Sequence, residues 1–242
     1  MINVTKAEDC TSLQLTEFIL DVLHRISVHQ IFWFREVEKQ LGSAKALQAS
    51  DYVWQKLHNN VSDRINDFIN AAGGTTKTLT DLPCEKQLQL LDNLAKYWLA
   101  QDGVWFQAVE FSEGMAQAKL CNDTTWKYFS PFEAQSVKKL LGLGEHPGLK
   151  GLELALNFRI YGRINVQSTH WDKDTLIFEM NDCRVQSARK RKGLADYPCK
   201  SAGIVEYSCF AKGIDEKIQT TCLGCPPDNH PEQWFCSWKF KI

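Results

Sequence analysis

An internal repeat is the feature of this sequence that most narrows the folds open to it. Residues 32–54, FWFREVEKQLGSAKALQASDYVW, align without a gap with residues 104–126, VWFQAVEFSEGMAQAKLCNDTTW, at an offset of 72. Nine positions are identical: Trp33/Trp105, Phe34/Phe106, Val37/Val109, Glu38/Glu110, Gly42/Gly114, Ala44/Ala116, Ala46/Ala118, Asp51/Asp123 and Trp54/Trp126. Two copies of one helical unit, at about residues 32–69 and 104–141, predict a pseudo-symmetric helical bundle rather than a solenoid.

Each copy predicts two helices. The first opens on Trp-Phe and ends near Gly42 or its equivalent, and Asp51 or its equivalent caps the second. The repeated residues Glu38 and Glu110 could suggest a di-iron site, but such a site needs Glu-x-x-His partners, which the sequence lacks. Hydrogen bonding across the pseudo-twofold axis, or capping of a neighbouring helix, is therefore the preferred interpretation of these glutamates.

Composition excludes several classes of function. The 242 residues carry a formal net charge of −1, so no positive field directs the chain to nucleic acid or to an anionic membrane. The N-terminus, MINVTKAEDC, lacks a basic stretch followed by a long apolar run. We therefore expect a cytoplasmic protein that binds neither membrane nor nucleic acid. In that reducing compartment, nine cysteines indicate metal binding, catalysis or burial rather than disulfides.

The hydrophobic period changes after residue 158. RINVQSTHW and TLIFEMND alternate as the two strands of a hairpin would, and the final segment WFCSWKFKI alternates most clearly. Two short helices are predicted between these strands, after Asp182 and from about Cys199 to Lys212. The predicted fold class is α+β, with a helical bundle at 1–158 and a cysteine-rich module at 159–242 that holds a small antiparallel sheet and short helices.

Five cysteines occupy places that suit metal binding. Cys183 and Cys199 begin helices, Cys222 and Cys225 form a C-x2-C pair after a strand, and Cys236 lies in the last strand. Helix N-termini favour the thiolate, which is the form that binds metal. A C-x2-C turn lets two sulfurs reach one ion, as tetrahedral zinc or an iron–sulfur cluster requires. The predicted cofactor is a zinc ion, with an iron–sulfur cluster as the alternative.

A more local ligand set is also open. Cys222, Cys225, His230 and Cys236 have nearly the spacing of the zinc knuckle of nucleic-acid-binding proteins. The segment has no Lys or Arg to contact phosphate, and its two prolines remove amide donors to the sulfurs. The composition of this segment therefore does not favour nucleic-acid binding.

Other side chains near the cysteines could act on a ligand. Glu206 shares a predicted helix face with Cys199, and Glu206 and His230 are the candidate catalytic residues. Arg189 and Arg191 are candidates for bidentate binding of a substrate carboxylate. Trp234 is a candidate wall of the ligand pocket.

Several segments together carry a resemblance to a known family. CRVQSARKRKGL, YPCKSAGIVEY, CLGCPPDNHP and CSWKF, with GVWFQAVEFSEGMAQA before them, resemble an uncharacterised group of cytosolic proteins related to L-2-amino-thiazoline-4-carboxylic acid hydrolase. The resemblance covers roughly residues 100 to 242. It implies ring-opening of a small sulfur-containing carboxylate and a cysteine that matters for activity. A more distant likeness, to modules of the four-vinyl-reductase type, implies a zinc site that braces an aromatic ligand pocket.

Two functions follow as hypotheses. In the first, the chain is a hydrolase-like enzyme whose metal polarises a carbonyl, an imine or a bound water while His230 or Glu206 moves protons. In the second, the metal is structural and the chain binds or senses a small molecule. Both predict a small-molecule ligand as the partner, and the helical repeat could form a homodimer surface.

Overall fold

The computed structural model describes residues 4–72, 79–191, 193 and 195–242, and for residues 58–72 it describes the backbone only. The fold class is α+β, as the sequence predicts. Two compact units divide the chain, a helical unit at Met1–Thr125 and a C-terminal unit at Trp126–Ile242. The sequence placed the domain boundary after residue 158, where the hydrophobic period changes.

Long helices follow one another along the first part of the chain, and the last of them continues into the C-terminal unit. They are α1 (Ser12–Leu41), α2 (Ser43–Ala72), α3 (Cys84–Glu113) and α4 (Met115–Leu141), and the division between the units falls within α4. Short 3-10 turns lie at Ala7–Asp9 and Leu79–Asp81. None of the helices in the described ranges is both long enough and apolar enough to cross a membrane.

The two copies of the repeat turn at equivalent glycines. Gly42 has φ 88° and ψ 160°, and Gly114 has φ 91° and ψ 167°. Each backbone N–H donates to the carbonyl four residues earlier, on Glu38 or Glu110, at 2.8 and 2.9 Å. A positive φ favours glycine, so the identity at this position has a conformational cause. The exposed Glu38 also accepts a hydrogen bond from the hydroxyl of Ser43, the first residue of α2, at 2.8 Å.

One detail of the sequence interpretation is wrong, and one repeated residue differs between the copies. Asp51 does not cap a second helix, because α2 begins at Ser43, directly after the turn. Trp54 is 63% exposed, whereas its equivalent Trp126 is 2% exposed, so the repeated tryptophan is a core residue in one copy only.

Helices α1 and α3 run parallel and pack through equivalent residues. Hydrogen bonds between them join residues 69 to 75 positions apart, close to the repeat offset. The rings of Trp33 and Trp105 stack with centroids 6.2 Å apart. Trp33 Nε1 donates to Asp102 Oδ1 at 2.8 Å, and Trp105 Nε1 donates to Gln30 Oε1 at 3.2 Å. Gln30 and Asp102 are themselves equivalent, so the contact is reciprocal about a pseudo-twofold axis.

Shorter elements form the rest of the C-terminal unit. They are α5 (Gly148–Asn157), β1 (Val166–Asp172), β2 (Thr175–Asp182), α6 (Arg184–Arg191), α7 (Lys200–Ile214), β3 (Gln219–Gly224) and β4 (Cys236–Lys241), with a 3-10 turn at Ile160–Arg163. The strands form one antiparallel sheet in the order β1-β2-β4-β3. The hairpin turns at Lys173, which has φ 56°.

One face of the sheet packs against α7. Phe178 and Trp238 are partners on β2 and β4, and both rings pack on Tyr207 of α7 at 5.3 and 4.7 Å between centroids. At Gly203 an added Cβ would lie 2.8 Å from the Trp238 ring, so glycine permits this close approach. Cys236 lies two residues before Trp238 on the same side of β4, which places its thiol toward the buried face.

Candidate functional site

Four cysteines stand at the ends of four elements. Cys183 directly precedes α6, Cys199 directly precedes α7, Cys225 directly follows β3, and Cys236 begins β4. We call these four residues the thiol cluster. Because β4 pairs antiparallel with both β2 and β3, the start of β4 lies beside the ends of β2 and β3. Cys183, Cys225 and Cys236 therefore lie at the same end of the sheet. The packing of α7 on that sheet adds the fourth.

Sulfur contacts connect the members of the thiol cluster. Cys199 Sγ and Cys225 Sγ lie 3.6 Å apart. Cys225 also forms a side-chain hydrogen bond with Cys236, and Cys183 interacts electrostatically with both Cys199 and Cys236. The sequence predicted five thiol ligands, these four and Cys222, and the structure brings these four together.

The thiols differ in how readily they ionise. The hydrogen bond from Cys225 lowers the pKa of Cys199 despite its burial, and Gln186 contributes in the same direction. The same contact with Cys199 raises the pKa of Cys225, and burial raises the pKa of Cys183 to about 12. Without a cation, the negative charge of the thiol cluster is therefore favoured on Cys199, and neighbouring thiolates would repel one another.

Gln186 positions the Cys199 sulfur. This glutamine on α6 is 1% exposed. Its Nε2 donates to the Tyr197 carbonyl at 2.9 Å and to Cys199 Sγ at 3.4 Å, while its Oε1 accepts from the Tyr197 backbone N–H at 2.8 Å. Sequence reasoning assigned Gln186 no role in the site. The available signal was that Gln186 is the one long uncharged polar side chain within VQSARKRK.

A strap of polar contacts fixes Cys225 beside the start of α7. The Lys200 backbone N–H donates to the Pro226 carbonyl at 2.9 Å. Lys200 Nζ donates to both oxygens of Asp228, at 3.0 and 2.7 Å, and Asp228 Oδ2 accepts from the Cys225 backbone N–H at 3.4 Å. The residues that follow Cys199 and Cys225 are thus bonded to each other, which holds the two sulfurs close.

The thiol cluster, Gln186 and the strap all lie in a segment that matches a family model. Residues 80–242 match the family of unknown function DUF6125, which is more than half of the chain. The chain belongs to DUF6125. Comparison with curated proteins and with solved structures finds no match. The DUF6125 segment also contains every site residue that the sequence predicted.

Cys222 occupies a different place in the DUF6125 segment from the other predicted ligands. It faces Trp238 across the β3–β4 ladder and is half-buried. Burial raises the pKa of its thiol, and it interacts electrostatically with Lys200, Asp228 and Cys236. The structure therefore puts Cys222 beside the strap, within electrostatic range of one member of the thiol cluster.

The predicted catalytic residue Glu206 belongs to a buried ion network. Arg159, which is 2% exposed, donates from Nε to Glu133 Oε2 at 2.9 Å, and its Nη1 lies 2.7 Å from Glu206 Oε1. Glu133 also accepts the Ile160 backbone N–H at 3.1 Å. Burial raises the pKa of Glu206 against the opposing effect of Arg159. Sequence reasoning missed Arg159 and Glu133, because both stand in otherwise ordinary helical or turn segments.

His230 ties two loops together. Its Nε2 lies 3.0 Å from Asp196 Oδ2, and its Nδ1 lies 2.9 Å from the Pro231 carbonyl. Although burial lowers the pKa of His230, these two acceptors raise it above the ordinary histidine value. Trp234, a predicted pocket residue, packs near the His230 ring and covers Gly224.

The two predicted substrate arginines have separate surroundings. Arg189 Nε donates to the Ala195 carbonyl at 2.7 Å, so it ties α6 to the loop that follows. Arg191 is exposed at the last position of α6.

The described residues also bear on metal binding. Within the described ranges, no three His, Cys, Asp or Glu side chains are already arranged to hold a metal ion. Two sulfurs on one tetrahedral zinc, each at about 2.3 Å from the ion, lie about 3.8 Å apart. The Cys199–Cys225 separation of 3.6 Å is close to that value. A four-sulfur site would add Cys183 and Cys236 to this pair.

Proposed function

We propose that the C-terminal unit binds one zinc ion through the four sulfurs of the thiol cluster. The observation that carries this proposal is the 3.6 Å separation of Cys199 Sγ and Cys225 Sγ, with Cys225 also bonded to Cys236. Zinc prefers four tetrahedral sulfur or nitrogen ligands, and the cluster offers four sulfurs from four element ends.

Electrostatics of the thiol cluster support a cation. Bringing four thiols together disfavours more than one thiolate, and a divalent ion reverses that preference because it stabilises each negative sulfur. Cys199 lies directly before the first residue of the 15-residue helix α7, where the helix dipole favours a negative sulfur. Gln186 supplies the kind of outer hydrogen bond that orients a metal ligand.

A four-sulfur site leaves no position for water or substrate, which favours a structural role for the ion. The function that we propose is therefore binding or sensing of a small molecule by a unit that the metal braces. Hydrolase-like activity on a small carboxylate, which the resemblance to the thiazoline hydrolase implies, stays a prediction. Product formation from such a carboxylate would favour the enzyme.

Metal analysis of protein purified without oxygen tests the proposal. We expect one zinc per chain and no visible colour, loss of the zinc in Cys225→Ser, and retention of it in Cys209→Ser. Cys209 is the matched control because it is a half-buried thiol of α7 whose charged neighbours are Lys127 and Lys212.

Two results would contradict zinc. Several irons per chain with broad absorption near ~400 nm would assign the same thiols to an iron–sulfur cluster. Protein that binds neither metal, even after incubation with excess zinc in reductant, would remove the metal from the proposed function.

A further inference from the structure

Cys199 and Cys225 have the arrangement of a reactive dithiol. Their sulfurs are 3.6 Å apart, and a disulfide requires closure to about 2.05 Å. The hydrogen bond between Lys200 N and Pro226 O holds the adjoining backbones together, so the closure needs little main-chain movement.

The two thiols are not equally accessible. Cys225 is 1% exposed, whereas Cys199 is partly exposed. Cys199 Sγ accepts the Gln186 Nε2–H bond, which fixes the position of the sulfur in the more exposed of the two residues. Cys199 is therefore the thiol that a small oxidant meets first, with the buried Cys225 sulfur 3.6 Å away.

We propose that Cys199 and Cys225 form a peroxide-reactive pair, in which a small hydroperoxide oxidises Cys199 and Cys225 then closes a disulfide. The pair shares its thiols with the proposed zinc site but does not depend on the ion. If both hold, disulfide formation takes two ligands from the zinc and releases it.

Two steps convert the dithiol to a disulfide. The Cys199 thiolate attacks one oxygen of the hydroperoxide, the O–O bond breaks, and the leaving alkoxide or hydroxide takes a proton to become an alcohol or water. Cys199 is then a sulfenic acid. Cys225 attacks that sulfur, the S–O bond breaks, and the departing hydroxide takes the Cys225 proton and leaves as water. Two thiols have lost two electrons, and the hydroperoxide has gained them.

Contacts around the pair hold Cys225 beside the start of α7. The Cys225 sulfur lies next to Gly203 of α7, where an added Cβ would make an ordinary van der Waals contact with it at 3.7 Å. The Lys200–Asp228 ion pair anchors the same turn, because Asp228 also accepts the Cys225 backbone N–H. Cys183 and Cys236 belong to the thiol cluster as well, so they are the competing partners that a test must separate.

Peptide mapping of the full-length wild-type chain is the first test. Protein is treated with hydrogen peroxide both as purified and after chelator treatment, its remaining thiols are alkylated, and the digest is analysed without reductant. We expect loss of two of the nine thiols and one linked peptide pair that joins Cys199 to Cys225. Linkage of another pair, or a reduced Cys199 after the other thiols have reacted, would overturn the proposal.

Two variants assign the order of events. Cys225→Ser should accumulate a sulfenic acid on Cys199 that a cyclic 1,3-dione traps, whereas Cys199→Ser should leave Cys225 reduced. Cys209→Ser should behave as wild type. Trapping on Cys225 instead of Cys199 would contradict the proposed order.

Zinc content measured on the same samples before oxidation separates this inference from the proposed function. Zinc without the disulfide rejects the peroxide-reactive pair alone, and the disulfide without zinc rejects the metal alone.

Discussion

Two buried carboxylate sites, one in each unit, differ in how their charge is paired. In the helical unit, Glu36 is fully buried, and among the described residues neither of its carboxylate oxygens has a hydrogen-bond partner. In the C-terminal unit, the buried carboxylates Glu133 and Glu206 share the guanidinium of Arg159. An unpaired buried charge destabilises a fold, and removing one partner of a buried pair leaves such a charge, so the comparison predicts opposite outcomes for a change at each site.

The largest effect is expected for Arg159→Met. This change leaves two buried carboxylates without their cation, which costs about 3–5 kcal/mol of unfolding free energy. The loss also includes contacts of the guanidinium with aromatic rings, of which Phe210 is the nearest at 4.6 Å. Urea titration at neutral pH measures the change. Arg191→Met, on an exposed arginine of α6, is the control and should differ little from wild type.

Glu36→Met should act in the opposite direction. Removing a buried carboxylate that lacks hydrogen bonds should raise the unfolding free energy by about 1–3 kcal/mol, because methionine fills a similar volume without the desolvation cost. The charge of Glu36 also acts on Cys121. Burial and Glu36 together raise the pKa of the Cys121 thiol to about 11. Glu17→Met, on the exposed side of α1, is the matched control. A clear destabilisation by Glu36→Met would mean that a ligand or ion pairs with this carboxylate in solution.

An effect that is absent at neutral pH and grows as the pH falls is expected at His29. Trp98 Nε1 donates to His29 Nδ1 at 2.8 Å, and burial lowers the pKa of His29 to about 3 from an ordinary value of 6.5. The unfolded chain therefore binds the proton more readily. Stability is present above about pH 6.5 and is lost as the pH falls toward 3, by about 1.4 kcal/mol per pH unit from this group.

His29→Gln removes that dependence. The equivalent residue in the second copy is Gln101, so the substitution makes the two copies alike at this position. We expect near wild-type stability at pH 7 and a smaller loss between pH 6 and pH 4, measured by urea titrations at each pH. Equal pH profiles for variant and wild type would show that His29 is not the titrating group.

Local sequence patterns predicted much of the fold. The ungapped repeat predicted two equivalent helical turns, and the glycines at 42 and 114 adopt matching conformations. Alternation in the last segment predicted β4. Helix ends were less predictable, because Asp51 resembles a cap while α2 continues through it. A capping residue is a local preference, and packing of a long amphipathic face outweighs it.

The candidate site divided in the same way. Placement of Cys183 and Cys199 before helices was readable from the chain, and so was the C-x2-C pair. Which member of that pair would join the other thiols was not readable, because a register shift between Cys222 and Gly224 changes how the end of β3 meets β4.

By itself, the sequence determined the helical duplication, the antiparallel module and the positions of cysteines at element ends, since each follows from spacing along the chain. Only the tertiary structure decided that Arg159 holds two glutamates, that Gln186 bonds Cys199, and that Cys225 rather than Cys222 lies 3.6 Å from Cys199. Those partners are separated by 13 to 47 residues. Their meeting depends on how elements pack, because hydrogen bonds and sulfur contacts form only over a few ångströms.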